Sequence, residues 1–229
     1  MSEKDFVEAL KKINIEISEL QLEQLNKYYN LLIEWNKVMN LTGITEKKDV
    51  YLKHFYDSLT ISKIINLNEY NTLCDVGTGA GFPGMVIKIL FPNLKVTLVD
   101  SLNKRINFLN EVIKELKLEN IETIHSRVEE FKGSFDIVTA RAVSQLNILM
   151  EYAIPLVKLN GYFVPLKANI SEELENSSNA FKELKCEIED KKEFLLPIEL
   201  SNRTLLKIKK LGENKKYPRK YSEIKKRPL

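Results

Sequence analysis

Apolar residues near the start of the chain recur at intervals of three and four, the spacing of one helix face. This pattern predicts a long amphipathic helix from Ser18 onward, and Ser18 with Gln21 fits a capping box at its start. A second amphipathic segment follows, with its apolar positions at Val50, Phe55, Leu59 and Ile65. We therefore predict a helical extension over residues 1–65 that packs on the main domain.

From Thr72 onward the pattern changes to short β-rich runs that alternate with helical stretches. Such alternation indicates a mostly parallel sheet with helices on both faces, which is an α/β fold. The predicted strands are residues 72–76, 95–100, 121–126, 135–142 and 161–168, and the predicted helices are 83–90, 103–118 and 144–157. A charged helix, 171–185, and two strand-like runs, 186–197 and 203–210, follow these elements. We assign residues 66–229 to this single globular unit, including the basic C-terminal segment.

The chain has 229 residues, of which 44% are hydrophobic and 29% charged. This length favours a single core, and no apolar run approaches the roughly 18 to 20 residues of a membrane-spanning helix. The first residues lack the basic, then apolar, then small-residue order of an export signal, so we expect a soluble, cytoplasmic protein. We also expect a monomer. Cys74 and Cys186 have neither C-x-x-C spacing nor a nearby histidine pair, so no metal site is expected.

The net charge of +3 is distributed unevenly. From Arg203 to Leu229 there are eleven Lys or Arg residues and two Glu, so the preceding residues are acidic overall. A basic end of this kind is typical of proteins with a polyanionic partner, and it is equally consistent with a solvated tail.

The stretch DVGTGAGFPG, residues 75–84, matches two kinds of nucleotide-site pattern. G-x-G-x-x-G, read from Gly79, is typical of dinucleotide binding, whereas an acid two residues before alternating glycines is typical of S-adenosylmethionine sites. Asp75 favours the second ligand, because a carboxylate there repels a pyrophosphate and attracts a sulfonium cation. Asp100, at the end of the next strand, would accept hydrogen bonds from ribose hydroxyls in either site. The alternating glycines, which are predicted to approach the ligand, are Gly77, Gly79 and Gly81.

Other candidate contacts follow the later strands. After the third strand, we expect backbone at Val128 and the Glu129 carboxylate to face a base edge, unless this loop is a solvated turn. Arg141 follows the fourth strand and Lys167 the fifth, where each could hold a substrate group, although Arg141 would also suit a surface ion pair. The two histidines, His54 and His125, are expected to be structural.

Two familiar methyl-acceptor motifs are missing. The position after the fourth strand reads TARA rather than N/D-P-P-Y/F, and neither cysteine follows a proline as an activated nucleophile would. The remaining type of acceptor is an atom with a free lone pair, such as guanine N7. Its methylation needs positioning and electrostatics but no general base.

With these residues in hand, the chain closely resembles the RsmG family, also called GidB, of bacterial small-subunit ribosomal RNA methyltransferases. The resemblance covers nearly the whole chain and rests on EWNKVMNLTGI (34–44), HFYDSL (54–59), DVGTGAGFPG (75–84), VDSLNKRINFL (99–109), SRVEEF (126–131), ARA (140–142) and YPRK (217–220). It implies a Rossmann-like methyltransferase sheet with an N-terminal helical extension. It also implies methyl transfer from S-adenosylmethionine to N7 of guanine 527, in the 530 loop of 16S rRNA.

Residue by residue, the resemblance implies cofactor contacts at Gly77, Phe82, Val128, Glu129 and Arg141, and Asp75 and Asp100 match acidic positions of the same motifs. Arg141 is the one catalytic candidate, as a residue that positions substrate or cofactor. We expect the partner to be 16S rRNA, within the small subunit or its assembly intermediate. The expected RNA contacts are Lys167, Arg203, Lys215, Lys216, Arg219 and Lys220.

The chain departs from the family pattern at two places. Ala168 stands where family members usually have Gly, and Tyr221 to Ile224 stand where they tend to read A-G-T-P. Our leading hypothesis is an RNA guanine-N7 methyltransferase. The alternatives are an NAD-dependent oxidoreductase and a ribosome-assembly factor that binds RNA without turnover.

Overall fold

A seven-stranded sheet forms the centre of the structure, a computed structural model that describes all residues from Met1 to Leu229. The strand order is β3-β2-β1-β4-β5-β7-β6, in which the first five are parallel and β7 and β6 are antiparallel to their neighbours. The mostly parallel α/β sheet predicted from the sequence is thus confirmed. The strands are β1 (Thr72–Val76), β2 (Lys95–Asp100), β3 (Ile121–His125), β4 (Phe135–Arg141), β5 (Val157–Lys167), β6 (Cys186–Leu195) and β7 (Asn202–Lys210).

Ten α-helices surround this sheet or precede it. They are α1 (Glu3–Lys11), α2 (Glu19–Met39), α3 (Lys47–Val50), α4 (Asp57–Leu59), α5 (Gly84–Leu90), α6 (Asn103–Glu115), α7 (Leu146–Ala153), α8 (Ser171–Glu175), α9 (Ser178–Glu183) and α10 (Tyr221–Lys226). Between α3 and α4 the chain forms a π-helical stretch (Tyr51–Tyr56), and a 3₁₀ turn (Thr60–Lys63) follows α4. No helix has the length and apolar character that crossing a membrane requires.

Helix α2 begins as its sequence predicts. The Ser18 side chain accepts a hydrogen bond from the Gln21 backbone N–H, and the Gln21 side chain accepts one from the Ser18 backbone N–H. These reciprocal bonds satisfy backbone donors at the helix start. Further along the helix, the buried Tyr28 hydroxyl donates to the carbonyl oxygen of Ala80, within the glycine loop. Helix α2 therefore supports the loop that follows β1.

Each face of the sheet carries its own apolar cluster. One cluster joins α1, α2 and the 47–63 segment to α5, α6 and one face of the sheet, and it includes Leu25, Phe55 and Phe108. The other lies between the opposite face and α7 and α9, and it includes Cys74 and Val138. The helices near the N-terminus thus share a core with the sheet.

Two predicted boundaries were wrong. The helix predicted over 144–157 ends at Ala153, and β5 begins at Val157 because that residue pairs with Phe135 across a register shift in β4. The charged helix predicted over 171–185 is divided into α8 and α9. At the division, the Ser177 hydroxyl donates to the carbonyl oxygen of Glu173, a side-chain bond that competes with the helical pattern.

The basic end of the chain packs against α7. Ile224 is fully buried, and the side-chain amide of Asn147 donates to the carbonyl oxygen of Leu229 at 3.1 Å. The guanidinium of Arg219 binds both carboxylate oxygens of Glu151, at 2.8 and 2.6 Å. The segment is therefore anchored to the fold rather than being a solvated tail.

Candidate functional site

The loop after β1 has a backbone that requires glycine at two positions. Gly77 has φ +66°, and a Cβ atom there would lie 2.7 Å from a methyl carbon of Val143. Gly81 has φ +99°, and a Cβ atom there would lie 2.9 Å from Cβ of Met85. Both conformations are costly for other residues, so the glycines allow the loop to pack closely on its neighbours.

Asp75 lies beneath this loop, with no accessible surface. Its Oδ2 accepts hydrogen bonds from the Thr78 hydroxyl at 2.6 Å and from the Gly84 backbone N–H at 2.8 Å, whereas its Oδ1 is buried without a partner. Burial raises the pKa of Asp75 to about 7. This carboxylate ties the loop to the first turn of α5.

A cavity of about 480 Å³ opens where the parallel strands end. Four of the predicted cofactor residues line it, and they come from the ends of three strands: Gly77 after β1, Asp100 at the end of β2, and Val128 and Glu129 after β3. Gly79, Gly81, Phe82, Asp75 and Arg141 do not line it. The structure therefore places four of the nine predicted residues in the cavity wall, Phe82 and Arg141 in a second group, and Asp75, Gly79 and Gly81 in or beneath the glycine loop.

Asp100 is held in a fixed orientation at the end of β2. Its Oδ2 accepts from the Gly79 backbone N–H at 2.9 Å and lies 3.2 Å from Nη1 of Arg105, and its Oδ1 accepts from the Leu102 backbone N–H at 2.9 Å. Each carboxylate oxygen has two lone pairs, so Oδ1 retains acceptor capacity for a ligand hydroxyl.

Glu129 presents a different kind of carboxylate to the same cavity. Its Oε1 is buried without a hydrogen-bond partner, and the nearest cation, Nη1 of Arg127, lies 3.8 Å away. That distance is too long for a hydrogen bond. Because an unsatisfied buried acceptor is costly, this oxygen suits a ligand that offers an N–H or O–H donor.

Arg141 belongs to a second group, which we call the Arg141 cluster: His54, Asp57, Phe82, Arg141 and Arg203. Nη1 of Arg141 donates to the Lys53 carbonyl oxygen at 2.9 Å and to Asp57 Oδ2 at 3.2 Å, and Nη2 donates to His54 Nδ1 at 3.1 Å. The guanidinium also lies 5.3 Å from the ring centroid of Phe82. Arg141 is thus mostly buried and fixed in place by residues from the helical segment before β1.

His54 is neutral in this arrangement. Its ring stacks on Phe82, with centroids 4.3 Å apart, and its Nε2 lies 2.8 Å from the Thr42 hydroxyl. Because Nδ1 accepts from Arg141, the proton lies on Nε2. Burial, reinforced by the charge of Arg141, lowers the pKa of His54 to about 3. His54 was expected to be structural and had no predicted part in the site, although it begins the HFYDSL motif.

Asp57 lies between two arginines. Its Oδ2 accepts from Arg141, and its Oδ1 accepts from Nε of Arg203 at 2.8 Å. Arg203 was predicted to contact RNA, but its guanidinium also donates to the carbonyl oxygen of Asn202 and to the Ser201 hydroxyl. This residue therefore has intramolecular partners that fix its position.

The other predicted RNA contacts fall into two sets, those with intramolecular partners and those without. Lys167 is nearly buried, and its Nζ donates to Glu173 Oε2 and to the Ser144 carbonyl oxygen, both at 2.6 Å. Arg219 is engaged by Glu151. The remaining three are exposed and have no ion-pair partner: Lys215, Lys216 and Lys220.

Comparison with known proteins identifies the family. Residues 21–198 match the family described as rRNA small subunit methyltransferase G, GidB. The chain belongs to the GidB family. It is 51% identical to the ribosomal RNA small subunit methyltransferase G of Bacillus licheniformis, with 100% of this chain and 99% of that protein covered. It is 50% identical to the protein of the same name from Bacillus subtilis, with the same coverage.

Solved structures share the GidB fold at low identity. A SAM dependent methyltransferase from Aquifex aeolicus superposes with a TM-score of 0.53 at 19% identity, over 71% of this chain and 93% of that one. The family match ends at residue 198, so Arg203 and the C-terminal segment lie beyond it. Two of the cavity residues, Tyr221 and Lys225, come from this later part of the chain and were not among the predicted site residues.

Proposed function

We propose that this protein transfers the methyl group of S-adenosylmethionine to N7 of a guanine in 16S rRNA, guanine 527 of the 530 loop. The observation that carries the proposal is the match to the GidB family, whose relatives are named as ribosomal RNA small subunit methyltransferases. Such a reaction needs a cofactor site, groups that orient the acceptor base and contacts to RNA. The cavity, the Arg141 cluster and the exposed lysines would supply these in turn.

The cavity suits S-adenosylmethionine in size and in polar groups. Its volume of about 480 Å³ falls within the range of small-molecule sites, about 300–1,000 Å³. Asp100 would accept hydrogen bonds from ribose hydroxyls, and the unpartnered Oε1 of Glu129 would accept one from the exocyclic amine of adenine. When bound, the cofactor supplies a methyl group on a positively charged sulfur.

Asp75 supports this ligand over NAD for a reason that the structure supplies. A pyrophosphate would use backbone N–H groups at the start of the helix after the loop. Here the Gly84 N–H donates to the buried Asp75, so a donor at the start of α5 is already engaged by an anionic group. A phosphate ligand would therefore find this N–H donor already bound to a side chain beneath the loop.

Arg141 would orient the acceptor base beside the cavity. Three of its five N–H groups are engaged by Lys53, Asp57 and His54, so its remaining donors are held in a fixed direction. The N7 lone pair of guanine needs no deprotonation before it attacks, and the positive charge passes to the base. Preorganised hydrogen bonds can therefore supply the catalysis without a general base.

The test is methyl transfer to ribosomal RNA. The protein and labelled S-adenosylmethionine would be incubated with small subunits from a strain that lacks the enzyme, with naked 16S rRNA in parallel. Strand scission at 7-methylguanine should then map a single modified base. Label in RNA at another atom or position would overturn the guanine-N7 assignment, and no label with folded protein would favour a binding protein without turnover.

A further inference from the structure

The C-terminal helix α10 forms part of the cavity wall. Tyr221 and Lys225, which are four residues apart and so lie on one face of the helix, both line the cavity. Ile224, between them in sequence, is fully buried in the body of the protein. The helix therefore presents a polar face to the cavity and an apolar face to the core.

Several contacts fix this helix in position. Asn147, on α7, donates to the carbonyl oxygen of Leu229, and Arg219 donates to the carbonyl oxygen of Arg227 at 2.9 Å as well as to Glu151. These bonds lie on both sides of α10 in sequence. The orientation of Tyr221 toward the cavity thus follows from an anchored backbone.

Tyr221 lies beside the loop after β3, which carries Glu129 and is expected to face the adenine. The Arg127 guanidinium carbon lies 5.3 Å from the centroid of the Tyr221 ring. A second cavity, of about 530 Å³, separates residues 127–130 from residues 218–222, and Arg127, Glu129 and Tyr221 line both cavities. The tyrosine ring therefore belongs to the Glu129 end of the site.

We propose that Tyr221 forms the nucleobase wall of the cofactor site and packs its ring against the adenine of S-adenosylmethionine. Arg127 lies over one side of the Tyr221 ring, and 45% of the surface of Tyr221 stays accessible although its helix is anchored. The uncovered side can therefore pack against a planar ligand. The residue lies beyond residues 21–198, which match the family model, in a segment where this chain departs from the family pattern although its relatives align with the whole chain. The inference rests on the proposed cofactor and adds a contact that the family motifs do not contain.

Titration calorimetry with S-adenosylhomocysteine and with adenosine tests this role. Adenosine shares the nucleoside but lacks the amino-acid end. In Tyr221→Ala we expect the affinity for both ligands to fall by about tenfold, the size of effect that removal of a base-stacking ring produces. Tyr221→Phe, which keeps the ring, should bind both ligands as the wild-type protein does. Lys226→Ala, a change on the same helix at an exposed residue outside the cavity, is the matched control.

Each alternative outcome has a distinct meaning. Unchanged affinities in Tyr221→Ala would overturn the inference, as would weaker binding of S-adenosylhomocysteine with unchanged binding of adenosine. Reduced RNA binding with normal binding of both small ligands would overturn it too, and would assign the ring to RNA. If the wild-type protein bound NADH but not S-adenosylhomocysteine, the proposed cofactor itself would be overturned. Thermal unfolding of each variant separates a direct effect of the missing ring from unfolding of the protein.

Discussion

The cavity and the Arg141 cluster lie side by side at one edge of the sheet, but their polar groups are satisfied differently. In the cavity, Glu129 leaves an oxygen without a partner and Asp100 retains acceptor capacity. In the cluster, Arg141 is held by three acceptors and Asp57 is shared by two arginines. The cavity thus has open acceptors for a ligand, whereas the cluster is organised before any ligand arrives.

This difference separates cofactor binding from catalysis. Open acceptors contribute affinity, because a ligand satisfies them when it binds. Donors fixed in advance contribute rate, because they hold the acceptor base in position for attack without reorganising when it binds. Substitutions in the two regions should therefore have different kinetic signatures.

Arg141→Ala should produce the largest loss. We expect methyl transfer at saturating cofactor to fall by about 10²-fold, the loss that misplacement of a reacting group by about 1 Å produces. Binding of S-adenosylhomocysteine should stay close to that of the wild-type protein, because Arg141 does not line the cavity. Single-turnover transfer to small subunits and calorimetry measure the two quantities.

Folding must be controlled in this variant, because removal of Arg141 leaves Asp57 buried with only Arg203 as its partner. Arg141→Lys keeps the charge but cannot reach three acceptors at once, so it should fall between the wild-type protein and Arg141→Ala. Equal loss of cofactor binding and of transfer in a folded Arg141→Ala protein would show that the two regions act as one site.

Glu129→Ala should give the opposite signature. We expect binding of S-adenosylhomocysteine to weaken by about ten- to a hundredfold, since a hydrogen bond to a charged group contributes about 1.5–3 kcal/mol. Transfer at saturating cofactor should change much less. Calorimetry measures the first effect and single-turnover kinetics the second. Glu130→Ala, at an exposed neighbour, is the control, and equal weakening in both variants would refute the role of Glu129.

Two buried titratable groups, Asp75 beneath the glycine loop and His54 in the Arg141 cluster, give the stability of the protein opposite pH dependences. Asp75 has its pKa raised to about 7, so its contribution to stability is present below the unfolded pKa, near 4, and is lost as the pH rises through 7. His54 has its pKa lowered to about 3, so its contribution is present above about 6.5 and is lost as the pH falls toward 3. Between about pH 4 and 6.5, a rise in pH therefore reduces the contribution of Asp75 to stability and increases that of His54.

Asp75→Asn removes one of these terms. Between about pH 4 and 7, the free energy of unfolding of the wild-type protein should fall relative to that of the variant by up to about 1.4 kcal/mol per pH unit. Urea denaturation at several pH values measures this difference. A difference that is constant with pH would mean that Asp75 is ionised throughout, as an ordinary carboxylate is.

The sequence predicts the cavity better than the cluster. Asp100, Val128 and Glu129 each follow or end a parallel strand, and the carboxyl ends of such strands meet at one edge. In contrast, Arg141 and His54 are 87 residues apart, and Arg203 and Asp57 are 146 apart. Such contacts depend on how the helical segment docks on the sheet, which no local pattern encodes.

The orientation of Asp75 was within reach of the sequence. Successive side chains of a strand point to opposite faces, so Asp75 must share a face with Leu73 and not with Cys74 or Val76. Leu73 packs in the cluster that contains α5, and Cys74 and Val76 pack in the other. Alternation therefore fixes which residues share a face with Asp75, and the structure adds that α5 packs on that face. What alternation cannot supply is the Gly84 N–H that meets it there.

The smallest effects should come from the exposed lysines, which extend the comparison to RNA binding. Lys216→Ala or Lys220→Ala should weaken RNA binding severalfold and reduce the slope of log K against log salt by about 1 for each lysine–phosphate pair that the substitution removes. Arg219→Ala should instead lower the unfolding temperature, because it leaves the fully buried Glu151 without its cation. Filter binding across a salt series and thermal unfolding separate the two effects. A stable Arg219→Ala protein with the largest change in salt slope would show that Arg219 contacts RNA, and that its ion pair with Glu151 contributes little to the fold.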